Sequence, residues 1–533
     1  MADGMTREAR SERQVLSLGE GLSLEDACAL ASGAALPSLS EAVAGRIKAS
    51  HQRLRRCIAE GRLVYGVTTG FGPLANRLVS PDEIETLQRH LIYHLATGVG
   101  DVADWRIARM IVLTRLSSIS RGVSGASPDL VARLLRLLEG PYAPRIPMKG
   151  TVGASGDLTP LAHLALALMG QGGFLDCDGN DVASEHVLRG LGGPLTLCNR
   201  DALALVNGTS VMTAVAVLNA VQATRLVRMA EVLTVGFAEL MDGTTEAWDP
   251  AFADVRPHPG QRATTERLGQ LCEGSALMRR TRAADTRLGP TAAGTVEERT
   301  MQDAYTIRCA PQVIGAVRDM LTVHREIVSR ELNSATDNPV FPDGALALHG
   351  GNFMGQHVGF ASDTLSNAIL ALAGFAERQI ARVTDERLNG GLPAFLHRGP
   401  CGLNSGLMGA QVTATAVLAE MRTRAVPASV QSISTNGANQ DFVSMGTIAA
   451  RNARLHLADL SQILAILALA VAQGIDCRGG PGPFAPATRH AHARVRGISA
   501  PLERDRPLSD DIQRLAEAIL EGALEAGPEA PAV

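Results

Sequence analysis

The chain has 533 residues, which exceeds the roughly 100–200 of one ordinary domain and implies several domains or one large helical body. Apolar residues make up 46% and charged residues 20%, the balance of a globular protein and not of a disordered one. The net charge of −4 excludes a broad basic surface for nucleic acid or for an acidic membrane. With 3% aromatic residues and recurring Ala, Leu and Arg, the composition favours helix, and we predict a mainly α fold.

Lysine and cysteine narrow the chemistry and the location. Lys48 and Lys149 are the only lysines, and neither lies in a Gly-Lys-Ser/Thr phosphate loop, so nucleotide hydrolysis and pyridoxal phosphate (PLP) chemistry fit poorly. The eight cysteines are scattered without a Cys-x-x-Cys pair, which predicts free thiols and no metal site. The N-terminus has no apolar signal core, and the longest apolar run, Ile463 to Ala472, is half the length of a membrane span. We expect a soluble, cytoplasmic protein.

The helical periodicity predicts short helices first and long helices later. Helices are expected from Leu39 to Glu60 and from Pro81 to Ala96, and another begins with Thr159 as its N-cap and Pro160 at its first position. Three long runs follow, from Asp201 (as N-cap) to Asp242-Gly243, from Phe353 to Gly390-Gly391, and from Asp441 to about Gln473. Such lengths, apolar on wide faces, indicate a large helical bundle.

Three stretches interrupt this pattern. Residues 65–76 are rich in glycine, residues 281–299 form a polar segment that we expect to be a mobile loop, and residues 477–487 form a Gly/Pro loop before a charged tail. No linker separates two compositions, so one large helical unit is the simpler prediction.

The segment Gly153-Ala154-Ser155-Gly156-Asp157 combines small residues with flexible backbone at the positive end of the helix that follows. An Ala-Ser-Gly tripeptide alone is typical of an ordinary tight turn. The longer string GTVGASGDLTPLAH, however, resembles the signature of the aromatic amino acid ammonia-lyase family, which includes histidine, phenylalanine and tyrosine ammonia-lyases and related aminomutases. The resemblance implies that Ala154, Ser155 and Gly156 cyclise with loss of water to 4-methylideneimidazole-5-one, an electrophile that requires no metal, PLP or nucleotide.

Six further motifs resemble the family's motifs in the same order along the chain. They are YGVTTGFG with Tyr65 and Gly72, LVNGTS with Asn207, QDAYTIR with Tyr305 and Arg308, TDNPVF with Asn338, HGGNFMGQH with Phe353, and STNGANQD with Asn436 and Gln440. The resemblance implies that Tyr65 removes a β-proton from the substrate, that Tyr305 assists, and that Arg308 binds the substrate carboxylate as a guanidinium fork suits. It implies substrate-binding roles for Gly72, Leu158, Asn207, Asn338, Phe353, Asn436 and Gln440.

The pair His94-Leu95 follows the helix LQRHLIY and resembles the position that recognises the substrate ring in this family. His-Leu resembles tyrosine enzymes, Phe-Leu phenylalanine enzymes and Ser-His histidine enzymes, and an imidazole can hydrogen-bond a phenol. Gln440 also departs from the glutamate of the histidine enzymes. The resemblance therefore implies elimination of ammonia from L-tyrosine to give p-coumarate. Either the aromatic ring or the amine of the substrate adds to the electrophile, and we favour the amine.

The resemblance also implies a homotetramer whose active sites combine residues of several subunits, and a small-molecule aromatic amino acid as substrate. The net charge and the short apolar runs predict no nucleic-acid or membrane partner. We expect an N-terminal active-site region at 1–200, rich in loops, a central long-helix bundle at 201–480, and a C-terminal tail and helix at 481–533. The alternatives are a tyrosine 2,3-aminomutase, a phenylalanine or histidine ammonia-lyase, an inactive helical scaffold, and a fumarase-type lyase, whose lysine-bearing loop the chain lacks.

Overall fold

The structure, a computed structural model, describes residues 13–280 and 302–524. The chain divides into two compact units, each assembled from separate segments. Unit 1 comprises residues 1–221, 324–363 and 427–452, and unit 2 comprises residues 222–323, 364–426 and 453–533. Four of the five boundaries between these units fall inside long helices, and the fifth, at 426/427, lies in the segment between the helices that end at Thr423 and begin at Gly446. The division at 200 and 480 stays a prediction, and the predicted loop at 281–299 lies outside the described residues.

The described residues are mainly helical. In chain order the helices are α1 (Leu24–Ser32), α2 (Glu41–Ala59), α3 (Ile84–Leu95), α4 (Trp105–Ser120), α5 (Pro128–Glu139), α6 (Leu158–Leu168), α7 (Ser184–Leu191), α8 (Asp201–Val206), α9 (Ser210–Leu240), α10 (Pro250–Val255), α11 (Pro259–Cys272), α12 (Tyr305–Arg308), α13 (Ala310–Leu332), α14 (Gln356–Thr384), α15 (Met408–Thr423), α16 (Gly446–Cys477), α17 (Pro486–Ile498) and α18 (Ser509–Glu521). Single turns of 3-10 helix lie at Gly72–Leu74, Pro81–Glu83, Glu246–Trp248 and Ala394–Leu396.

Short strands occur in unit 1. They are β1 (Val15–Ser17), β2 (Leu36–Ser38), β3 (Val99–Val102), β4 (Ala143–Pro144), β5 (Pro147–Lys149), β6 (Phe174–Leu175) and β7 (Asp181–Val182). Strands β1 and β2 pair in parallel, β3 pairs with β5 antiparallel, and β4, β6 and β7 form an antiparallel sheet in that order.

Each unit has its own apolar core. In unit 1 the centre is α4, in which every residue from Ile107 to Ser120 is buried. Around it, Ser40 caps α2, and Ser127 caps α5 with Pro128 at the first helical position, as the sequence rules for helix starts require. In unit 2 the run Ile463 to Ala472 of α16 is buried throughout, and α11 packs against α17. The packing of α3, α6 and α8 on one another in unit 1 positions the candidate site.

Most predicted helices are confirmed with small shifts of their ends. The helix expected at 39–60 is α2, the one expected at 81–96 is a 3-10 turn followed by α3, and the long runs from 353 and 441 are α14 and α16. The Gly/Pro loop is also confirmed, because α16 ends at Cys477 and α17 begins at Pro486.

Three helices are long and apolar enough to cross a membrane by length and composition, namely α9, α14 and α16. In each, most of the apolar window is buried inside the protein, 72%, 61% and 78% respectively. This burial is what the interior helices of a bundle require. The cytoplasmic location stays a prediction.

Two predicted N-caps are wrong, and one predicted long helix is divided. Asp201 is the first residue of α8, whose N-cap residue is Arg200. The run predicted from Asp201 to Asp242-Gly243 is interrupted at Asn207–Thr209, so that α8 ends at Val206 and α9 begins at Ser210. The interruption lies at Gly208, whose φ of +138° is outside the helical region and is readily adopted only by glycine. Helix α6 begins at Leu158 with Asp157 as its N-cap residue, not Thr159. Asp157 makes no side-chain cap because its carboxylate binds the start of α9 instead.

Candidate active site

The Ala-Ser-Gly tripeptide lies in unit 1 just before α6, with its backbone strained and close to the α8–α9 break. Gly156 has a φ of +68°, and a Cβ atom built on it would lie 2.0 Å from the carbonyl oxygen of Gly208, so only glycine fits here. The Thr151 hydroxyl donates to the Gly156 carbonyl oxygen at 3.1 Å and accepts from the Gly153 N–H at 3.0 Å. The tripeptide is therefore held in a tight turn from both ends.

Asn207, at the break between α8 and α9, contacts the serine of this tripeptide. Its Nδ2 donates to the Ser155 hydroxyl oxygen at 2.7 Å and to the Ser155 carbonyl oxygen at 3.3 Å. Its Oδ1 is buried and has no hydrogen-bond partner within the described ranges. Since buried acceptors are normally satisfied, this atom indicates a site that is completed by another group. The break between α8 and α9 is therefore what allows the Asn207 side chain to reach Ser155.

Asp157 joins the same turn to two further helices. Its carboxylate accepts from the N–H groups of Val211 and Met212, at 2.9 and 2.8 Å, and from the hydroxyl of Thr447. The first two donors are at the N-terminus of α9, where the helix dipole favours a negative charge. Burial nevertheless raises the pKa of Asp157 to about 6. Asp157 thus fixes the tripeptide between α9 and α16.

Tyr65 lies half-buried in the glycine-rich loop. Its phenol oxygen accepts a hydrogen bond from the Gly72 N–H at 2.9 Å, an arrangement that suits an anionic oxygen equally well. Its own N–H donates to Nε2 of His349 at 3.2 Å. Burial lowers the pKa of His349 and so favours the neutral ring that accepts this bond. The Tyr65 ring meets Phe71 edge to face at 6.3 Å, so both its ring and its oxygen are held.

His94 and Leu95 form the last turn of α3. His94 is exposed, and its Nδ1 lies 3.1 Å from the carbonyl oxygen of His90. A carbonyl only accepts, so Nδ1 must donate and Nε2 of the neutral ring is left as an acceptor. This is the polarity that the phenol of the predicted substrate requires. Leu95 and Leu158 are half-buried and pack on the core of unit 1.

A buried ion cluster lies beneath Asn207 and Asn338. Arg200 pairs with Asp337 at 2.7 Å, Arg115 lies 3.9 Å from the same carboxylate, and all three side chains are fully buried. Arg115 donates to the carbonyl oxygen of Asn207, and Arg200 donates to that of Asn338 at 2.8 Å. The cluster therefore fixes the backbone of both predicted substrate-binding asparagines.

We expect Asp337→Asn to lower the free energy of unfolding by about 3–5 kcal/mol, because it leaves buried arginines uncompensated. The matched control is Asp343→Asn, which removes an exposed pair with Arg53 and should cost no more than about 1 kcal/mol. Denaturant unfolding of both variants and the parent measures this. Equal losses in the two variants would contradict the importance of the cluster.

The contacts that the structure shows for the other predicted site residues of unit 1 are with their own loops or with neighbouring segments. The Asn338 Oδ1 accepts from the Gly350 N–H at 2.7 Å, so a neighbouring backbone group already uses this oxygen. Gln440 binds within its own loop, where its Oε1 accepts from the Thr435 hydroxyl at 2.9 Å. Asn436 is close to Gly72, because a Cβ on that glycine would lie 2.8 Å from its Nδ2. Phe353 is half-buried just before α14.

Tyr305 and Arg308 belong to unit 2, unlike the other predicted site residues. They form the single helical turn α12, and the Arg308 guanidinium lies over the Tyr305 ring at 4.4 Å. Tyr305 is 68% exposed, and Arg308 also donates to the Gln302 side chain. The two side chains therefore contact each other, and the exposed face of Tyr305 is free to contact another molecule.

Sequence reasoning assigned no role to four residues that hold this site, namely Arg115, His349, Thr447 and Gln88. The Gln88 amide hydrogen-bonds the backbone of both the glycine-rich loop and α8. For Gln88 a signal existed, because it is a polar residue in line with the apolar stripe of α3. For Arg115 and Thr447 only the tertiary structure shows the contact, since their partners are far away in the sequence.

Comparison with known proteins supplies the family. The sequence profile described as aromatic amino acid lyase matches residues 22–497. A tyrosine ammonia-lyase of Cereibacter sphaeroides is 54% identical over 514 residues, which cover 96% of this chain and 98% of that protein. An MIO-dependent tyrosine 2,3-aminomutase of Streptomyces globisporus is 41% identical over 475 residues, 87% of each chain. The crystal structure of a tyrosine aminomutase from Streptomyces globisporus matches with a TM-score of 0.90 at 37% identity, covering 96% of this chain and 97% of that one. The chain belongs to the aromatic amino acid lyase family.

Proposed function

We propose that this protein is a carbon-nitrogen lyase that eliminates ammonia from L-tyrosine to give p-coumarate. The observation that carries the proposal is the contact of Asn207 with Ser155 in a tripeptide whose glycine admits no side chain. The 54% identity to a protein named tyrosine ammonia-lyase supports the substrate. The His94-Leu95 pair supports it independently, through a ring nitrogen that can accept from a phenol.

The residues around the tripeptide fit its cyclisation to methylideneimidazolone. The left-handed turn at Gly156 brings the glycine backbone toward the preceding residues, and Asn207 places a donor on the hydroxyl oxygen that has to leave. A donor at this oxygen stabilises the negative charge that develops as the C–O bond breaks. One family relative is named as MIO-dependent, MIO being the abbreviation for 4-methylideneimidazole-5-one, and this name supports the same assignment. Once formed, this group supplies an electrophilic carbon that makes the substrate's amine a better leaving group.

The protein side chains then remove the proton, bind the carboxylate and recognise the ring of the substrate. Tyr65, with its oxygen oriented by the Gly72 N–H, takes the β-proton of the substrate. Arg308 binds the carboxylate through its planar fork, and Tyr305 beside it handles the proton of the amino group. His94 accepts from the substrate phenol, and Leu95 and Leu158 offer apolar contact to the ring.

The homotetramer is part of this proposal. Exposed apolar side chains on α15, such as Met408 (43%) and Val412 (60%), support association of subunits, because burying them between chains is favourable. In such an assembly the exposed His94 and Tyr305 would be enclosed by neighbouring chains. Sedimentation of the purified protein tests this, and a monomer at assay concentrations would contradict it.

We expect His94→Phe to change substrate preference without stopping catalysis. Tyrosine would lose the partner of its hydroxyl, at a cost of roughly 1–3 kcal/mol, or about five- to 150-fold in relative specificity. Phenylalanine has no hydroxyl to leave unpaired, so the ratio of kcat/KM values should shift toward phenylalanine. Steady-state kinetics on both substrates measures the ratio.

The matched control for this variant is Tyr93→Phe, at the adjacent position of α3. It removes a hydroxyl whose oxygen accepts a hydrogen bond from the Gln171 side chain. This control should leave the ratio unchanged. An unchanged ratio in His94→Phe as well would make His94 a structural residue and remove its support for tyrosine as the substrate.

A further inference from the structure

Gln88 is a fully buried polar residue on α3, with 0% of its surface exposed. It shares the buried face of this helix with Ile84, Leu91 and Ile92. Burying a primary amide costs free energy unless its polar atoms are hydrogen-bonded. The partners of this amide therefore indicate why an amide is useful there.

Both partners of the Gln88 amide are backbone groups. Its Nε2 donates to the carbonyl oxygen of Gly66 at 2.9 Å, and its Oε1 accepts from the N–H of Leu203 at 3.2 Å. A carbonyl can only accept and a backbone N–H can only donate. One orientation of the amide satisfies both, so Gln88 rigidly joins the glycine-rich loop to α8.

The first of these bonds fixes Tyr65. Gly66 follows Tyr65 directly, and its N–H donates to the Thr69 hydroxyl at 3.1 Å. On the other side, the Tyr65 N–H donates to His349. With the Gly66 carbonyl bound by Gln88, the backbone around Tyr65 is held from both sides, and the direction of its phenol is set.

The second bond leads to the tripeptide and the substrate ring. The carbonyl oxygen of Leu203 accepts from the N–H of Asn207 at 2.9 Å, and Asn207 in turn contacts Ser155. On α3 itself, His94 lies six residues beyond Gln88, about 9 Å along the helix axis. One side chain thus connects the three segments that carry Tyr65, Asn207 and His94.

We propose that Gln88 is a positioning residue for the elimination, and that its amide sets the position of the Tyr65 phenol relative to Ser155 and His94. The inference rests on the proposed function, and Gln88 acts only through the backbone that it holds. Its loss should therefore lower kcat more than it changes KM.

The variant Gln88→Glu tests this, because its hydrogen bonding depends on protonation. A protonated glutamic acid donates to the Gly66 carbonyl and accepts from the Leu203 N–H, as the amide does. An ionised carboxylate places two acceptors face to face at Gly66. Burial favours the protonated form, so the ratio of variant kcat to parent kcat should approach one at acid pH. With rising pH the ratio should fall on the order of ten- to a hundredfold.

Dividing the kcat of the variant by the kcat of the parent at each pH cancels the titration of groups that both proteins share. The ionisable groups on segments packed against α3, and on α3 itself, are Tyr65, Asp82, Glu83, Glu85, Arg89, His90, Tyr93, His94, His163 and Asp201. All of these are unchanged in the variant. The control Gln88→Met has a similar size but neither bond, so its kcat ratio should be low at every pH and should not slope.

Absorbance of the cyclised tripeptide and the melting temperature are measured for each variant, so that loss of the electrophile or of the fold is seen directly. A kcat ratio of Gln88→Glu that does not change with pH would overturn the proposal, as would parent-like kcat in Gln88→Met. Failure of Gln88→Glu to fold at acid pH, where it matches glutamine in shape and bonding, would also contradict it. The assay uses whichever of tyrosine, phenylalanine and histidine the parent converts, so a wrong substrate assignment leaves this test intact.

Discussion

Replacing Ser155 by alanine is expected to abolish nearly all ammonia release while the protein keeps its fold. The methylidene carbon can form only if a hydroxyl leaves the β-carbon of residue 155, and alanine has none. We expect a loss of more than roughly a thousandfold in kcat, or about 4 kcal/mol of transition-state stabilisation. The fold should persist because the change removes one oxygen whose donor, Asn207, keeps the Ser155 carbonyl as an acceptor.

Turnover, near-ultraviolet absorbance and thermal melting of Ser155→Ala should be compared with those of Ser80→Ala. Ser80 is an exposed serine whose hydroxyl donates to Glu83, so its loss should leave all three quantities at the parent values. Parent-like turnover in Ser155→Ala would exclude the tripeptide as the source of the electrophile.

Tyr65→Phe is expected to retain tyrosine binding and to lose turnover. The ring stays packed against Phe71, and only the oxygen that accepts from Gly72 is removed. Loss of a general base typically costs about 10²–10⁴-fold in kcat, whereas KM should change little. The absorbance of the cyclised tripeptide should remain, because Tyr65 is not part of it.

Tyr142→Phe is the matched control, since Tyr142 hydrogen-bonds His186 through its hydroxyl at 2.9 Å and neither residue is a predicted catalytic one. Its kcat should equal that of the parent. If Tyr65→Phe also turned over at the parent rate, the base would be another residue, and Tyr305 would be the first to test.

The sequence could predict the helical class and most helix positions, because apolar periodicity and caps are local signals. Apolar periodicity did not predict the break at Asn207–Thr209, since the apolar pattern of the α8 and α9 residues continues through it. The Asn-Gly dipeptide at 207–208 was the available turn signal. The requirement for glycine at this break is tertiary, because a Cβ on Gly208 would lie 2.4 Å from the guanidinium of Arg115.

The candidate site shows the same division. The motifs predicted Tyr65, Asn207 and the tripeptide, and the structure brings all three into unit 1 with defined contacts. The sequence could mark Gln88 only as a polar residue within the apolar stripe of α3. Its partners were not predictable, since periodicity does not place the backbone groups of Gly66 and Leu203 near it. Asp157 looked like part of a turn, and only the folded chain shows its carboxylate at the start of α9.

The most direct test of the proposed function is to incubate the purified protein separately with L-tyrosine, L-phenylalanine and L-histidine and to quantify the products by chromatography. The account predicts p-coumarate and ammonia in equal amounts from tyrosine, with a higher kcat/KM than for either other amino acid. Accumulation of β-tyrosine as the main product, or a higher kcat/KM for phenylalanine or histidine, would contradict it.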